Sequence, residues 1–205
     1  MRPLAILGAS GHGKVVADCA ELCGWHPTFF DDAWPAIEAN GPWAVAGDTA
    51  ELLRRLRDFD GVLVAIGSNR VRQEKLQQLS VHGAALPVLV HPAAVVSRHA
   101  SLGAGSVVFA GAVVNAACRG GDGVIINTAA TVDHDCVLGD AVHISPGAHL
   151  AGDVRVGARS WLGIGSAVRQ GVRIGCDAVV GAGAALVANV ADGGVVTGVP
   201  ARPRQ

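Results

Sequence analysis

The run Val132-Asp133-His134-Asp135-Cys136 sets one imidazole between two carboxylates. Histidine is the side chain that exchanges protons near neutral pH, and an adjacent carboxylate orients its ring and favours the protonated form. Asp133, His134 and Asp135 therefore have the makings of a general base for a nucleophile that must lose a proton. His143 and His149 lie six residues apart and invite a zinc reading. A zinc site needs several converging ligands and an open position. No further carboxylate or cysteine cluster accompanies this pair, so no metal is expected and His149 is left as unassigned surface.

The N-terminal part offers a different chemistry. Apolar residues 4–7 run into Gly8-Ala9-Ser10-Gly11-His12-Gly13-Lys14. Glycine lets a backbone approach a phosphate closely, and the amides at a helix N-terminus attract one. The glycines at 8, 11 and 13 depart from the dinucleotide fingerprint, and the sheet they serve is small, so a nucleotide-sugar pyrophosphate fits better than a whole dinucleotide. Gly11, His12 and Gly13 are the candidates here. Asp31 and Asp32 close a second strand and suit hydrogen bonds to a ribose or a base edge. Gly67, Asn69 and Arg70 follow a third strand on the same side of a parallel sheet, where such sheets bind ligands, and Arg70 is placed to reach a phosphate.

Two kinds of element must position these groups. Up to about residue 88, strand and helix signals alternate: helical periodicity with Val15, Val16, Cys19, Ala20 and Leu22 on one side, a strand at 28–30, and a loop at 33–47. Asp48 reads as a helix cap with Glu51 as its box partner, then come a strand at 61–66, a helix over 70–79 and a strand at 86–90. That order implies a small parallel α/β sheet. From Val90 onward every sixth residue to Leu186 is Val, Leu or Ile at sixteen of seventeen places, Gly120 being the exception. Four residues after each stands a small residue, such as Ala112, Cys118, Ala130 or Ser160, or a Val. A six-residue period is one short strand plus a turn; three make a triangular coil, and coils must stack to bury their branched residues. His134 falls two places after an inward Val132 and projects outward. Cys136 falls on a small corner place and reads as packing.

Composition excludes several classes. Half of the 205 residues are apolar, which excludes a disordered chain. Sixteen Lys and Arg against seventeen Asp and Glu give a net charge of −1, with no electrostatic footprint for nucleic acid. No apolar run reaches the roughly 18 residues of a membrane span. Five cysteines without CxxC spacing read as free thiols in a reducing, cytoplasmic setting.

In Gly8 to Lys14, Asp31-Asp32, Gly67 to Asn69, Ile126-Asn127-Thr128, Val132 to Gly139, His143-Ile144-Ser145-Pro146, Leu150-Ala151-Gly152 and Gly198-Val199-Pro200-Ala201-Arg202, the chain resembles the PglD/NeuD-type sugar acyltransferases of the hexapeptide-repeat superfamily. The resemblance implies a Rossmann-like α/β domain over 1–88 that binds a nucleotide sugar. It implies a left-handed parallel β-helix over 89–205 that binds acetyl-CoA, and a homotrimer with active sites at the subunit interfaces. It assigns His134 as general base, Asp135 or Asp133 as its support, and the Gly152 N–H as oxyanion donor. His12 and Asp32 would contact the nucleotide sugar, and His143, Gly152, Ala167, Ala185, Pro200 and Arg202 the acetyl-CoA. The family often has Glu at 133 and Gly at 129, where this chain has Asp133 and Ala129, which leaves the supporting carboxylate open. The implied reaction is acetyl transfer to the amine of a UDP-linked 4-amino-4,6-dideoxy sugar for surface glycan synthesis. The alternative is O-acetylation of a sugar hydroxyl such as that of sialic acid. A zinc hydratase and a non-catalytic scaffold are disfavoured by the nucleotide-like N-terminal motif.

Overall fold

The structure is a computed structural model that describes residues 2–204. It divides into two compact units, Met1–Pro92 and Ala93–Gln205.

The first unit is a three-stranded parallel sheet in the order β2-β1-β5, with β1 Arg2–Leu7, β2 Trp25–Phe30 and β5 Gly61–Val64. Helix α1 spans Gly11–Leu22, a hairpin pairs β3 Ala39–Asn40 with β4 Trp43–Ala44, α2 spans Thr49–Arg54 and α3 spans Asn69–Val81. Leu4, Ile6, Phe29, Phe30 and Leu63 are buried, because a parallel sheet covered on its faces has no solvent side.

Four expectations change here, the first being that the stretch read as loop at 33–47 holds the β3–β4 hairpin. The strand foreseen at 86–90 is not part of this sheet: only Leu89–Val90 is extended. Ala85 gives its carbonyl to the Val62 amide, and Pro87, which has no N–H to offer a ladder, packs where a Cβ on Gly61 would stand. The buried side of α1 is Gly13, Val16, Ala17, Cys19 and Ala20, whereas Val15 and Leu22 are exposed. Residues seven apart share a helix side, and this pair sits on the outer one. The capping box is half made: the Asp48 carboxylate accepts from the Glu51 amide at 2.8 Å, but the Glu51 carboxylate turns to Arg54.

The second unit is a left-handed parallel β-helix of about six coils. Two-residue strands pair with their equivalents eighteen residues away, as in Val113↔Thr131↔His149↔Ala167↔Ala185. This hand is the exception to the right-handed crossover rule. The repeat predicted from the sequence is the inward column: Val108, Ile126, Val132, Ile144, Leu150, Leu162 and Val180 are at most 2% exposed. Burying each such side chain contributes about 1.5–3 kcal/mol. Gly120, the exception, leaves the space that the Leu102 side chain leans into: a Cβ there would stand 2.7 Å from Leu102 Cδ2.

Three faces result, each named here by its non-inward residues. One carries Val113, Thr131, His149, Ala167 and Ala185; a second carries Ser101, Arg119, Val137, Arg155 and Arg173; the third carries Ile125, His143, Trp161, Val179 and Val195. Each coil turns its corners through one residue in the left-handed region, among them Ala129, Asp135 and Asp153. No helix among the described residues is long and apolar enough to cross a membrane.

Candidate active site

His134 stands on the corner between the His149 face and the arginine face. The left-handed conformation of Asp135 (φ 61°) turns its carboxylate back onto the ring, so that Asp135 Oδ2 lies 2.8 Å from His134 Nδ1. Asp133 behaves differently. Its Oδ1 accepts from the His134 amide and from Asn115 Nδ2, both at 2.8 Å, so it braces the turn and does not touch the imidazole. Asp135 is therefore the carboxylate that orients the ring. Its hydrogen bond, followed by the nearby charges of Asp133, Asp135 and Asp153, raises the His134 pKa above the ordinary 6.5. Nε2 has no hydrogen bond among the described residues and is open to a ligand.

Gly152 occupies the same corner place one coil later, and the imidazole lies across it. A Cβ on Gly152 would stand 2.5 Å from His134 Cε1 and 2.6 Å from Nε2, so a larger residue would displace the ring from this place. At five coils the amide at this corner place finds a side-chain oxygen. Ala104, Asp122, Thr128, His134 and Cys176 donate theirs to Asp122, Asp140, Asn127, Asp133 and Asp192. Gly152 follows Ala151, which has no oxygen to offer, and its N–H has no acceptor among the described residues. An open imidazole nitrogen and an uncommitted amide donor thus share one spot, an arrangement suited to addition to a carbonyl.

The other donor-side candidates fall into two groups. Ala167 and Ala185 are register partners on the His149 face, and the C-terminal segment docks on Ala185, whose N–H donates to the Gly198 carbonyl and whose carbonyl accepts from the Ala201 N–H. Pro200 and Arg202 are thereby held beside Ala185. His143 sits instead on the third face, 8% exposed, stacked on Trp161 at 5.1 Å between ring centroids and 3.1 Å from Asn127 Nδ2. One chain does not bring His143 together with His134. Residues 143, 145, 146, 161, 163, 164 and 179–182 line an open, largely apolar groove there. His149 pairs with Thr131 Oγ1 at 2.9 Å, away from His143, and among the described residues no three His, Cys, Asp or Glu converge as a metal site would need.

In the first unit a pocket of about 290 Å³ opens at the C-terminal ends of the strands, lined by Gly8, Ser10, Asp31, Asp32, Gly67 and Lys75 among others. Asp31 spends both oxygens on the loops, accepting from the Ala9 and Ala33 amides at 2.7 and 2.9 Å. Asp32 accepts from the Thr49 amide at 2.9 Å and from Lys75 Nζ at 2.8 Å. Desolvation alone would raise its pKa, but these bonds and the Lys75 charge hold it at about 2. Gly11 opens α1 at the surface, while Gly13 is a packing residue: a Cβ there would meet the Gly8 carbonyl at 2.4 Å. His12 is neutral, its pKa pushed down to about 4 by burial and by the charge of Arg72. Asn69 is buried and its Oδ1 accepts from Arg72 Nη2 at 2.8 Å, and Arg70 lies exposed outside the pocket lining.

Residues 3–79 match the family model of the PglD N-terminal domain. Over its whole length the chain is 45% identical to the solved acetyltransferase domain of PglB from Neisseria gonorrhoeae FA1090, covering 100% of both chains at a TM-score of 0.94. The chain belongs to the PglD/NeuD-type sugar acyltransferase family. PerB from Caulobacter crescentus, solved in complex with CoA and GDP-perosamine, is 40% identical over 99% of this chain and 97% of its own, also at a TM-score of 0.94. UDP-N-acetylbacillosamine N-acetyltransferase from Bacillus subtilis (strain 168) is 36% identical over 113 residues, which is 54% of this chain and 52% of that enzyme's length.

Within this PglD-type chain, sequence reasoning missed Asn115, Asp153, Lys75, Thr49 and Arg72. Asn115 precedes Asp133 by eighteen residues and Asp153 follows Asp135 by eighteen, so the coil period itself identifies both. Lys75, Thr49 and Arg72 have no such signal, because they reach the site by side-chain length from α3 and the start of α2.

Proposed function

We propose that the protein is an acetyl-CoA-dependent N-acetyltransferase acting on the amine of a nucleotide-linked 4-amino-4,6-dideoxy sugar. The observation that carries the reading is the pairing of an Asp135-oriented His134 with the unoccupied Gly152 N–H. The relatives' acetyltransferase names, and the CoA and GDP-perosamine bound to PerB, support the choice of donor and of acceptor class.

In this reading the α/β pocket holds the nucleotide and His134 Nε2 takes a proton from the sugar amine as its nitrogen attacks the thioester carbonyl. The carbonyl oxygen, becoming negative, accepts from the Gly152 N–H. The tetrahedral adduct collapses, the C–S bond breaks, and the sulfur takes the proton from His134 and leaves as CoA. Base catalysis typically supplies about 10²–10⁴-fold and one oxyanion donor about 2.7–4 kcal/mol. Cys118 and Cys136 are buried with raised thiol pKa values, the latter pushed up to about 12, mainly through burial, which suits them to packing rather than to carrying the acetyl group.

The sugar and nucleotide are assigned by assay. Thiol release from acetyl-CoA is measured with UDP-, GDP- and dTDP-linked 4-amino sugars and with free sialic acid. Turnover on an amino-sugar nucleotide with a new amide in the product supports the proposal. Turnover on sialic acid alone replaces it with O-acetylation.

A further inference from the structure

The corner that carries His134 is electrically polarised along the helix axis. Around the base stand Asp133, Asp135 and, one coil on, Asp153. Beyond them the sign changes. Arg155 opens the strand after Asp153, Arg169 occupies the corner place of Asp133 two coils later, and Arg173 opens the next strand. Coils repeat at the strand spacing, so Arg169 lies about 10 Å from Asp133 along the axis.

Arg155 and Arg173 are direct register neighbours, a like-charged cross-strand pair that repels. Arg155 has a loose partner in Asp153 at 3.5 Å. Among the described residues neither Arg169 nor Arg173 pairs with a carboxylate, and both are exposed. The fold itself thus leaves this charge unbalanced, beside the column of Ala167 and Ala185.

Acetyl-CoA is a polyanion at one end and neutral at the other. With its thioester carbonyl on the Gly152 amide, its phosphates are repelled by the carboxylates around His134 and drawn to the coils beyond. We propose that Arg169 and Arg173 bind the phosphates of CoA, and so set the direction in which the donor lies. This rests on the acetyl-CoA reading above. Guanidinium groups suit the task, since they stay charged and bind phosphate with two parallel hydrogen bonds.

The test compares two acetyl donors on the full chain: acetyl-CoA, and acetyl-pantetheine, which has no phosphate. The double variant Arg169→Ala/Arg173→Ala is expected to raise KM for acetyl-CoA about tenfold or more, with kcat nearly unchanged. Its kcat/KM for acetyl-pantetheine should match the parent's. Arg119→Ala, on the same face but on the other side of the base, should leave both donors unaffected. An unchanged KM for acetyl-CoA, or equal losses on both donors, overturns the arginine site while leaving the transferase reading intact. A parent chain that transfers acetyl from neither donor overturns both.

Discussion

At the scale of single residues, the site depends on two contacts around one imidazole. His134→Ala is expected to lower kcat/KM by about 10²–10⁴-fold at unchanged Tm, since the ring is exposed and removing it opens no cavity. The pH profile separates orientation from basicity. A base acts when unprotonated, so its raised pKa places the acidic limb of kcat/KM above 6.5. Asp135→Ala removes the largest cause of that rise, and the limb should move down towards 6.5 as the rate falls. A limb that stays in place in this variant would assign the titration to another group. Gly152→Ala tests the opposite side of the ring. Its methyl group would overlap the imidazole, so activity should fall about 100-fold while the circular dichroism spectrum is preserved, because the ring swings outward into solvent.

At the scale of elements, the α/β unit and the β-helix differ in how they respond to pH and in how plainly the sequence specifies them. His12 is held neutral at a pKa of about 4 against an ordinary 6.5. Between these values the unfolded chain binds a proton that the folded one refuses. Stability is therefore complete above 6.5 and falls on acidification towards about 4, by about 3 kcal/mol for this one group. Urea unfolding of His12→Gln and of the parent at pH about 7 and about 4.5 should show a smaller acid loss in the variant; equal losses would mean that His12 is protonated in the fold. The β-helix was legible almost in full, because a strict six-residue period admits few other structures and fixes which side of each strand faces inward. Thus Val132 inward placed His134 outward before any coordinates. The α/β unit was less legible. The alternation predicted its class, but Pro87 keeps the chain out of a fourth strand, and Val15 and Leu22 are apolar residues on an exposed helix side. In the candidate site, the outward placement of His134 and the position of Gly152 one coil on were legible. It was not legible in the choice between Asp133 and Asp135, which turns on one left-handed residue, nor in Lys75, whose contact with Asp32 joins residues 43 apart.

At the scale of the whole molecule, a single chain leaves its donor-site candidates divided. His134 and Gly152 share one corner, whereas His143 lies on the third face, stacked on a Trp161 that is 42% exposed beside Ile164 and Val179, at 58% and 39%. Exposed apolar side chains in one groove are what a neighbouring subunit would cover. A homotrimer in which this face closes against the His134 corner of the next subunit would unite the two sets. The consequence is complementation. Chains carrying His134→Ala and chains carrying His143→Ala should each be nearly inactive alone. Co-expressed in equal amounts, they would form mixed trimers in which an interface is intact when an unaltered His134 on one subunit meets an unaltered His143 on the next. Random assortment makes that about one interface in four, so about a quarter of parental activity should return. If both histidines serve a site within one chain, every subunit carries a lesion and mixing restores nothing. Light scattering on the same samples, giving three times the 20.7 kDa chain mass, is expected alongside the recovered activity.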